Sequence, residues 1–456
     1  MDELPVEIIG EIFILAAEAA RMDLDHVLDL DMPDILPRDI DEMDPTIVIP
    51  QVCKRWQQIA LGTPQLFTWM VFWQSECWDT SPMKLIPRWL ELSGNLSVHI
   101  FINPAAWGMG SCFSDVAYDE REGVIESQIC GIMQSISRHL HRCKTLTIRS
   151  DFQYMDSLLP VGTRNHAPQM ETFDIYPHNQ DYENDIPPYG QLIAPNLRCI
   201  RVGFPPPYLD FLEHNPQLIR RLCSRGYASS VVEVASILQK YQDLEECFLD
   251  EMIFRQDDEL PSPISLPAII LPRLRSLFLN FICAGMGTSE FFQSLRVQAL
   301  EELNIDIWRT DGDNTEEMAS SFFKIFTSIS SIPPLKILSF TNLNVPSDDL
   351  LPILRQLDLL ETLQIARQRV TPTFIRELIP EGGDTCIVPK LASFTLNQCT
   401  LPGASVLRLV EGRIQWLDRT GDTPFEAYFT SNKGFTNSQK EKLSKLDNGS
   451  HSVHVS

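Results

Sequence analysis

Leu391-Ala392-Ser393-Phe394-Thr395-Leu396-Asn397-Gln398-Cys399-Thr400-Leu401 sets apolar side chains at i, i+3, i+5, i+8 and i+10, with Pro389 two residues ahead. The alternation around Phe394 and Leu396 is that of a short strand with one apolar face. A strand this short cannot bury that face alone, so equivalents must stack beside it. The same triplet at i, i+3 and i+5 recurs as Cys143/Leu146/Ile148, Met170/Phe173/Ile175, Leu197/Ile200/Val202, Leu244/Cys247/Leu249, Leu274/Leu277/Leu279, Leu300/Leu303/Ile305, Leu335/Leu338/Phe340 and Leu360/Leu363/Ile365. Successive triplets start 27, 27, 47, 30, 26, 35, 25 and 31 residues apart, and a degraded unit at Ile219 and Leu222 splits the longest step. A Pro-x-Leu or Pro-x-Met lead-in at Pro168, Pro195, Pro216, Pro272 and Pro389 marks where strands should begin.

Helix-like stretches at 124–140, 231–241, 316–329, 348–357 and 373–378 can return the chain between strands. The pattern predicts an α/β fold, a parallel strand ladder with returning helices. Residues 391–401 resemble the leucine-rich repeat, with Cys399 at the position that family gives to Asn or Cys. The resemblance implies an irregular leucine-rich-repeat solenoid over residues 96–420, beginning with a strand at 96–102. Trp78 and Trp89 fall in an expected aromatic junction at 76–95, which Trp69, Phe72 and Trp73 approach. Apolar content falls after Gly421, which predicts a polar C-terminal tail over residues 421–456, frayed or a loose cap.

At the other end, Leu4-Pro5-Val6-Glu7-Ile8-Ile9-Gly10-Glu11-Ile12-Phe13 predicts a short amphipathic helix with Pro5 in its first turn. Ile49, Val52, Cys53, Trp56, Ile59 and Ala60 stripe one face of a second helix, which Gly62, Thr63 and Pro64 stop. Together these residues resemble the F-box of fungal proteins that join an F-box to leucine-rich repeats. Leu4, Pro5, Ile8, Ile12 and Phe13 match the first half of that motif; Val52, Cys53 and Trp56 match the second. The resemblance implies an F-box cap over residues 1–75 that docks on a Skp-family adaptor and, through it, a cullin scaffold. It implies a substrate-recognition subunit of an SCF-type ubiquitin ligase, not itself an enzyme, whose array selects a protein target. The chain departs from the family in a longer link between the two halves and in Phe67, where a Trp is common.

Of 456 residues, 44% are hydrophobic and 21% charged, the balance of a globular protein. The net charge of −24 disfavours nucleic acid, whose recognition rests on neutralising phosphates. Acids crowd residues 23–44 among Pro33 and Pro37, predicting a flexible acidic insertion at about 22–46. No apolar run is long enough for a membrane helix, and Asp2 and Glu3 stand where a secretory signal carries positive charge, so a cytoplasmic or nuclear protein is expected. Eleven cysteines without a Cys-x-x-Cys pair read as small buried apolar residues.

No catalytic, metal or cofactor constellation stands out. Asp311, Asp313 and Glu316 lack the fifth-place ligand and sixth-place glycine of a calcium loop. His139, His141 and Cys143 supply no fourth metal ligand, and Gly108-Met109-Gly110 and Gly285-Met286-Gly287 do not extend into a dinucleotide fingerprint. A binding face is legible instead. Alternation sends Glu246, Phe248, Asp250, Phe278, Asn280, Glu302, Asn304, Asp306, Trp308, Thr341 and Gln364 to the concave surface of the array. Acids interleaved with aromatics there predict a protein target carrying Lys or Arg. Two alternatives stay open: a repeat scaffold outside any ligase, and an enzyme whose site is assembled from residues distant in sequence.

Overall fold

A computed structural model describes residues 4–29, 45–72, 81–103, 118–149, 154–176, 189–203, 206–225, 231–253, 266–283, 288–309, 333–342, 347–380, 387–420, 424–447 and 451–455. The chain divides into two compact units, residues 1–204 with 208–218, and residues 205–207 with 219–456.

The first unit opens with the helix Val6–Asp29, whose Ile9, Phe13 and Ala17 are buried. It runs well past the expected start of the acidic insertion, because no proline lies between Pro5 and Pro33; residues 30–44 lie outside the described residues. The second expected helix is in fact two, Pro45–Val52 and Lys54–Leu61. Cys53 between them is extended, at φ −162° and ψ 167°, and its Sγ accepts from the Trp56 N–H at 3.4 Å. The cysteine thereby caps a new helix and redirects the apolar stripe. It is also exposed, contrary to the reading of the cysteines as buried. Phe13 packs on Trp56 with ring centroids 5.0 Å apart, tying the first helix to the third.

Parallel strands follow in chain order: Trp69–Phe72, Val98–Ile102, Cys143–Arg149, Thr172–Tyr176 and Cys199–Val202. The first of these, a run of four residues without a lead-in proline, was not expected from the pattern. Ser81–Leu92 occupies most of the aromatic junction as a helix, with the Trp89 ring 5.1 Å from Phe72 and 5.9 Å from Phe67. Phe67 is thus a core aromatic, so its size rather than its identity is what packing requires. Buried Arg142 closes the end of that helix, donating to the carbonyls of Leu90 at 2.6 Å and Leu96 at 2.8 Å. The helix Tyr118–His139 returns the chain to the third strand.

In the second unit the strands Arg221–Arg225, Glu246–Ile253, Ser276–Cys283, Glu302–Arg309, Ile337–Thr341, Thr362–Ala366, Ser393–Asn397, Glu426–Thr430 and Ser452–Val455 pair parallel, each with the next. Every residue of the nine apolar triplets named above, in both units, is 2% exposed or less. Each such side chain contributes about 1.5–3 kcal/mol by leaving water, which is why the stack and not the single strand is the stable unit. Val231–Lys240, Pro372–Glu377 and Gly403–Thr420 are among the returning helices; the expected one at 316–329 lies outside the described residues. The stretch 348–357 is a 3-10 turn, Ser347–Leu350, running into the single helical turn Leu351–Leu354.

The C-terminal segment is not a frayed tail. Ala427, Phe429 and Val453 are buried in two further strands, and Phe425, just ahead of the first, is buried as well. Between them lies the helix Asn437–Ser444, closed by a reciprocal Thr436–Gln439 capping box. The drop in apolar content hid these strands because few apolar residues suffice to cover the last rungs.

The turns that leave four successive strands share one conformation. Asn342, Arg367, Gln398 and Ser431, each the residue after a strand, have φ of 57°, 55°, 53° and 53°. A left-handed non-glycine costs about 1–2 kcal/mol. Ladder bonds offset it: the N–H groups of Asn342, Arg367 and Gln398 donate to Ala366, Asn397 and Thr430 in the next strand at 3.0, 2.8 and 2.8 Å. Among the described residues no helix is long and apolar enough to cross a membrane.

Candidate functional site

The N-terminal helix carries two apolar stripes. At about 100° per residue, Ile9, Phe13 and Ala17 fall on the buried side, whereas Ile8, Ile12 and Leu15 line up on a second side that faces solvent, and Leu4, just ahead of the helix, is exposed too. Ile12 is 43% exposed and Phe13 beside it 2%. Val48 and Val52, one turn apart on the neighbouring helix, are exposed as well, Val52 at 55%. Arg55 Nη2 donates to the Leu4 carbonyl at 3.0 Å, holding the chain start against the third helix. Of the motif residues expected at the adaptor surface, Leu4, Pro5, Ile8, Ile12, Val52 and Cys53 are exposed, while Phe13 is core and Trp56 is half-buried against it. Val6, Leu15 and Val48 are exposed apolar residues that the motif did not name; helical spacing from Ile8 would have found Leu15.

In the second unit, side chains alternating with the buried triplets are mostly half-exposed or exposed, as in the inside-outside repeat of Ile337–Thr341 and Thr362–Ala366, but Asn280, expected on the binding face, is buried. Phe248 and Phe278 lie side by side on this face, centroids 6.0 Å apart and rings tilted by 33°. The acids around them are partly spoken for. Glu246 pairs with Arg221 on the preceding strand; Asp250 accepts from Asn280 Nδ2 at 2.7 Å; Glu302 accepts from Ser276 at 3.1 Å and from Asn304 at 2.8 Å. Asp306 stands in register with Asn280 and Thr341. Gln364 is exposed, its Oε1 3.4 Å from Ser339 Oγ, and the Trp308 side chain lies outside the described residues. The face is therefore acidic but internally braced, less of a bare anionic surface than the sequence suggests. Arg221, in the degraded unit, was the missed counter-charge.

In the first unit two arginines flank an aspartate on the strands. Buried Asp174 is held by Arg149 at 2.6 Å and approached by Arg201 at 4.0 Å, on the strands to either side.

No protein-family model matches the chain, and no curated protein does. What the chain can do must be read from its surfaces.

Among the described residues no three of His, Cys, Asp and Glu gather to hold a metal. His139 Nδ1 instead accepts from Arg142 Nε at 3.3 Å, and the Cys143 thiol donates to the Thr145 carbonyl at 3.2 Å. Burial pushes the Cys143 and Cys247 thiols up to about 12, which leaves them protonated and unreactive. The stretch 311–316 and the two Gly-Met-Gly segments lie outside the described residues.

Proposed function

We propose that the chain is the substrate-recognition subunit of an SCF-type ubiquitin ligase. Its N-terminal helices would form the F-box that docks on a Skp-family adaptor and so on a cullin, and its parallel ladder the leucine-rich-repeat array that captures a protein target. One observation carries the reading: a helix already anchored by Ile9, Phe13 and Ala17 spends a second apolar stripe, Ile8, Ile12 and Leu15, on solvent. Apolar side chains ordered into an exposed stripe are the mark of a surface that docks another protein. The repeated left-handed turns and the buried Cys399 support the repeat assignment.

The test is co-purification of the full chain with a Skp-family adaptor from the same source. The unaltered protein should retain the adaptor, and Ile8→Asp with Ile12→Asp should lose it without unfolding. An unaltered chain that holds no adaptor would leave a binding scaffold outside any ligase. For the target side, the reading is a segment bearing Lys or Arg, set against Glu302, Asp306 and the Phe248–Phe278 pair. Reversing Glu302 and Asp306 to lysine should abolish its capture.

A further inference from the structure

The segments that follow two successive strands, Thr362–Ala366 and Ser393–Asn397, enclose with Ser347 an open cleft of about 510 Å³, within the range that small ligands and short peptide segments occupy. Its walls include Val370, Pro372, Leu401 and Pro402, and its rim Arg367 and Arg369. Two observations there point independently to a ligand.

The first is a side chain with nothing to bond. Gln368 also lines the cleft, is 7% exposed, and among the described residues has no hydrogen-bond partner for Nε2 or Oε1. It follows left-handed Arg367 and sits at the repeat position that Cys399 fills one strand later. Cys399 reaches the carbonyls of Ile365 and Asn397. Gln368 bonds only through its backbone, accepting from Thr400 N–H at 3.0 Å. A buried carboxamide bears the desolvation cost of a donor and an acceptor together, and one partner offering both relieves it.

The second is charge. In a chain of net charge −24, this rim is cationic, with Lys433 next in the bridge row Arg369, Thr400, Lys433. Arg367 Nε donates to Gln398 at 3.0 Å. Arg369 is exposed and makes no side-chain hydrogen bond or ion pair among the described residues. The nearby acid Asp348 is occupied by the Thr371 hydroxyl.

We infer that this cleft binds a short acidic peptide segment: a main-chain amide pairs with the Gln368 carboxamide, and a neighbouring carboxylate is held by Arg369 and Arg367. A peptide group supplies one donor and one acceptor side by side, the complement of a carboxamide, whereas a fully deprotonated anion such as sulfate supplies no donor to match. Both Gln368 amide atoms are shielded from solvent, so the pairing takes a side-chain rotation. The site is separate in residues and opposite in charge from the Phe248–Phe278 face.

The test uses the full chain and a library of N-acetylated hexapeptides, each with a fixed Glu pair or the matching Lys pair, read by fluorescence anisotropy. The unaltered protein should select acidic over basic members, with affinity falling as salt rises. Arg369→Glu, on the surface, should weaken the best acidic peptide at least tenfold. Gln368→Met should weaken it too, yet raise the melting temperature, because it removes an unpaired polar group. No preference for acidic peptides, or undiminished binding by Arg369→Glu, would overturn the site. Displacement by an equal concentration of inorganic sulfate would overturn the peptide assignment.

Discussion

Asn432 Oδ1 accepts the backbone N–H of Cys399 at 2.7 Å, and its Nδ2 donates to the Leu396 carbonyl at 2.7 Å, so one carboxamide closes the turn of the preceding strand. Replacing it by alanine leaves a donor and an acceptor of that turn without partners. Asn432→Ala should cost about 2 kcal/mol, read as a lower urea midpoint at unchanged slope.

Arg413 has no exposure, and its guanidinium fans across three carbonyls: Leu378 at 3.0 Å, Val388 at 2.9 Å and Ile387 at 2.7 Å. It fastens the helix Gly403–Thr420 to the end of the helix Pro372–Glu377. Arg413→Met keeps much of the volume but strands those carbonyls, so a loss of about 3–5 kcal/mol is expected in chemical denaturation. Lysine cannot span the fan and should recover little of it.

His139 is held below its usual pKa of 6.5 by burial first, then by Arg142, His141 and Arg138. The unfolded chain takes up the proton more readily than the folded one. The stability contribution is therefore complete above about pH 6.5 and is lost as pH falls below it. Urea midpoints measured between pH 7.5 and 5.5 should drop more steeply for the native sequence than for His139→Gln, which does not titrate.

The two stripes of the first helix make opposite predictions. Phe13→Ala empties a core site against Trp56 and should cost about 3–5 kcal/mol. Ile12→Asp, at 43% exposure, should change stability by about 0.5 kcal/mol or less. Thermal melts of the two variants distinguish a docking stripe from a second core; a collapse of Ile12→Asp would assign Ile12 to the core.

The ladder was legible because a strand's period of two is local, and because each rung needs its own apolar triplet whatever its neighbours do. The first strand, Trp69–Phe72, escaped because an aromatic-rich run reads equally as junction packing. The last two escaped because Ala427 and Phe429 carry a rung with little apolar sequence around them. The break at Cys53 escaped because helical spacing continues through it, and only the side-chain cap reveals the turn.

The sequence by itself determined which residues are buried in the strands, since burial there follows from spacing along one segment. It also determined that the first helix is amphipathic, though not that it has two apolar stripes of which one stays wet. Tertiary structure alone decided which charges meet. Arg221 with Glu246 and Arg149 with Asp174 lie on neighbouring strands, about 25 residues apart in sequence, and their pairing is set by register between strands. It alone decided, too, that the Gln368 side chain has no partner among the described residues while that of Asn432 has two, for hydrogen-bond satisfaction depends on where the next turn lies and not on the residue that offers the bond.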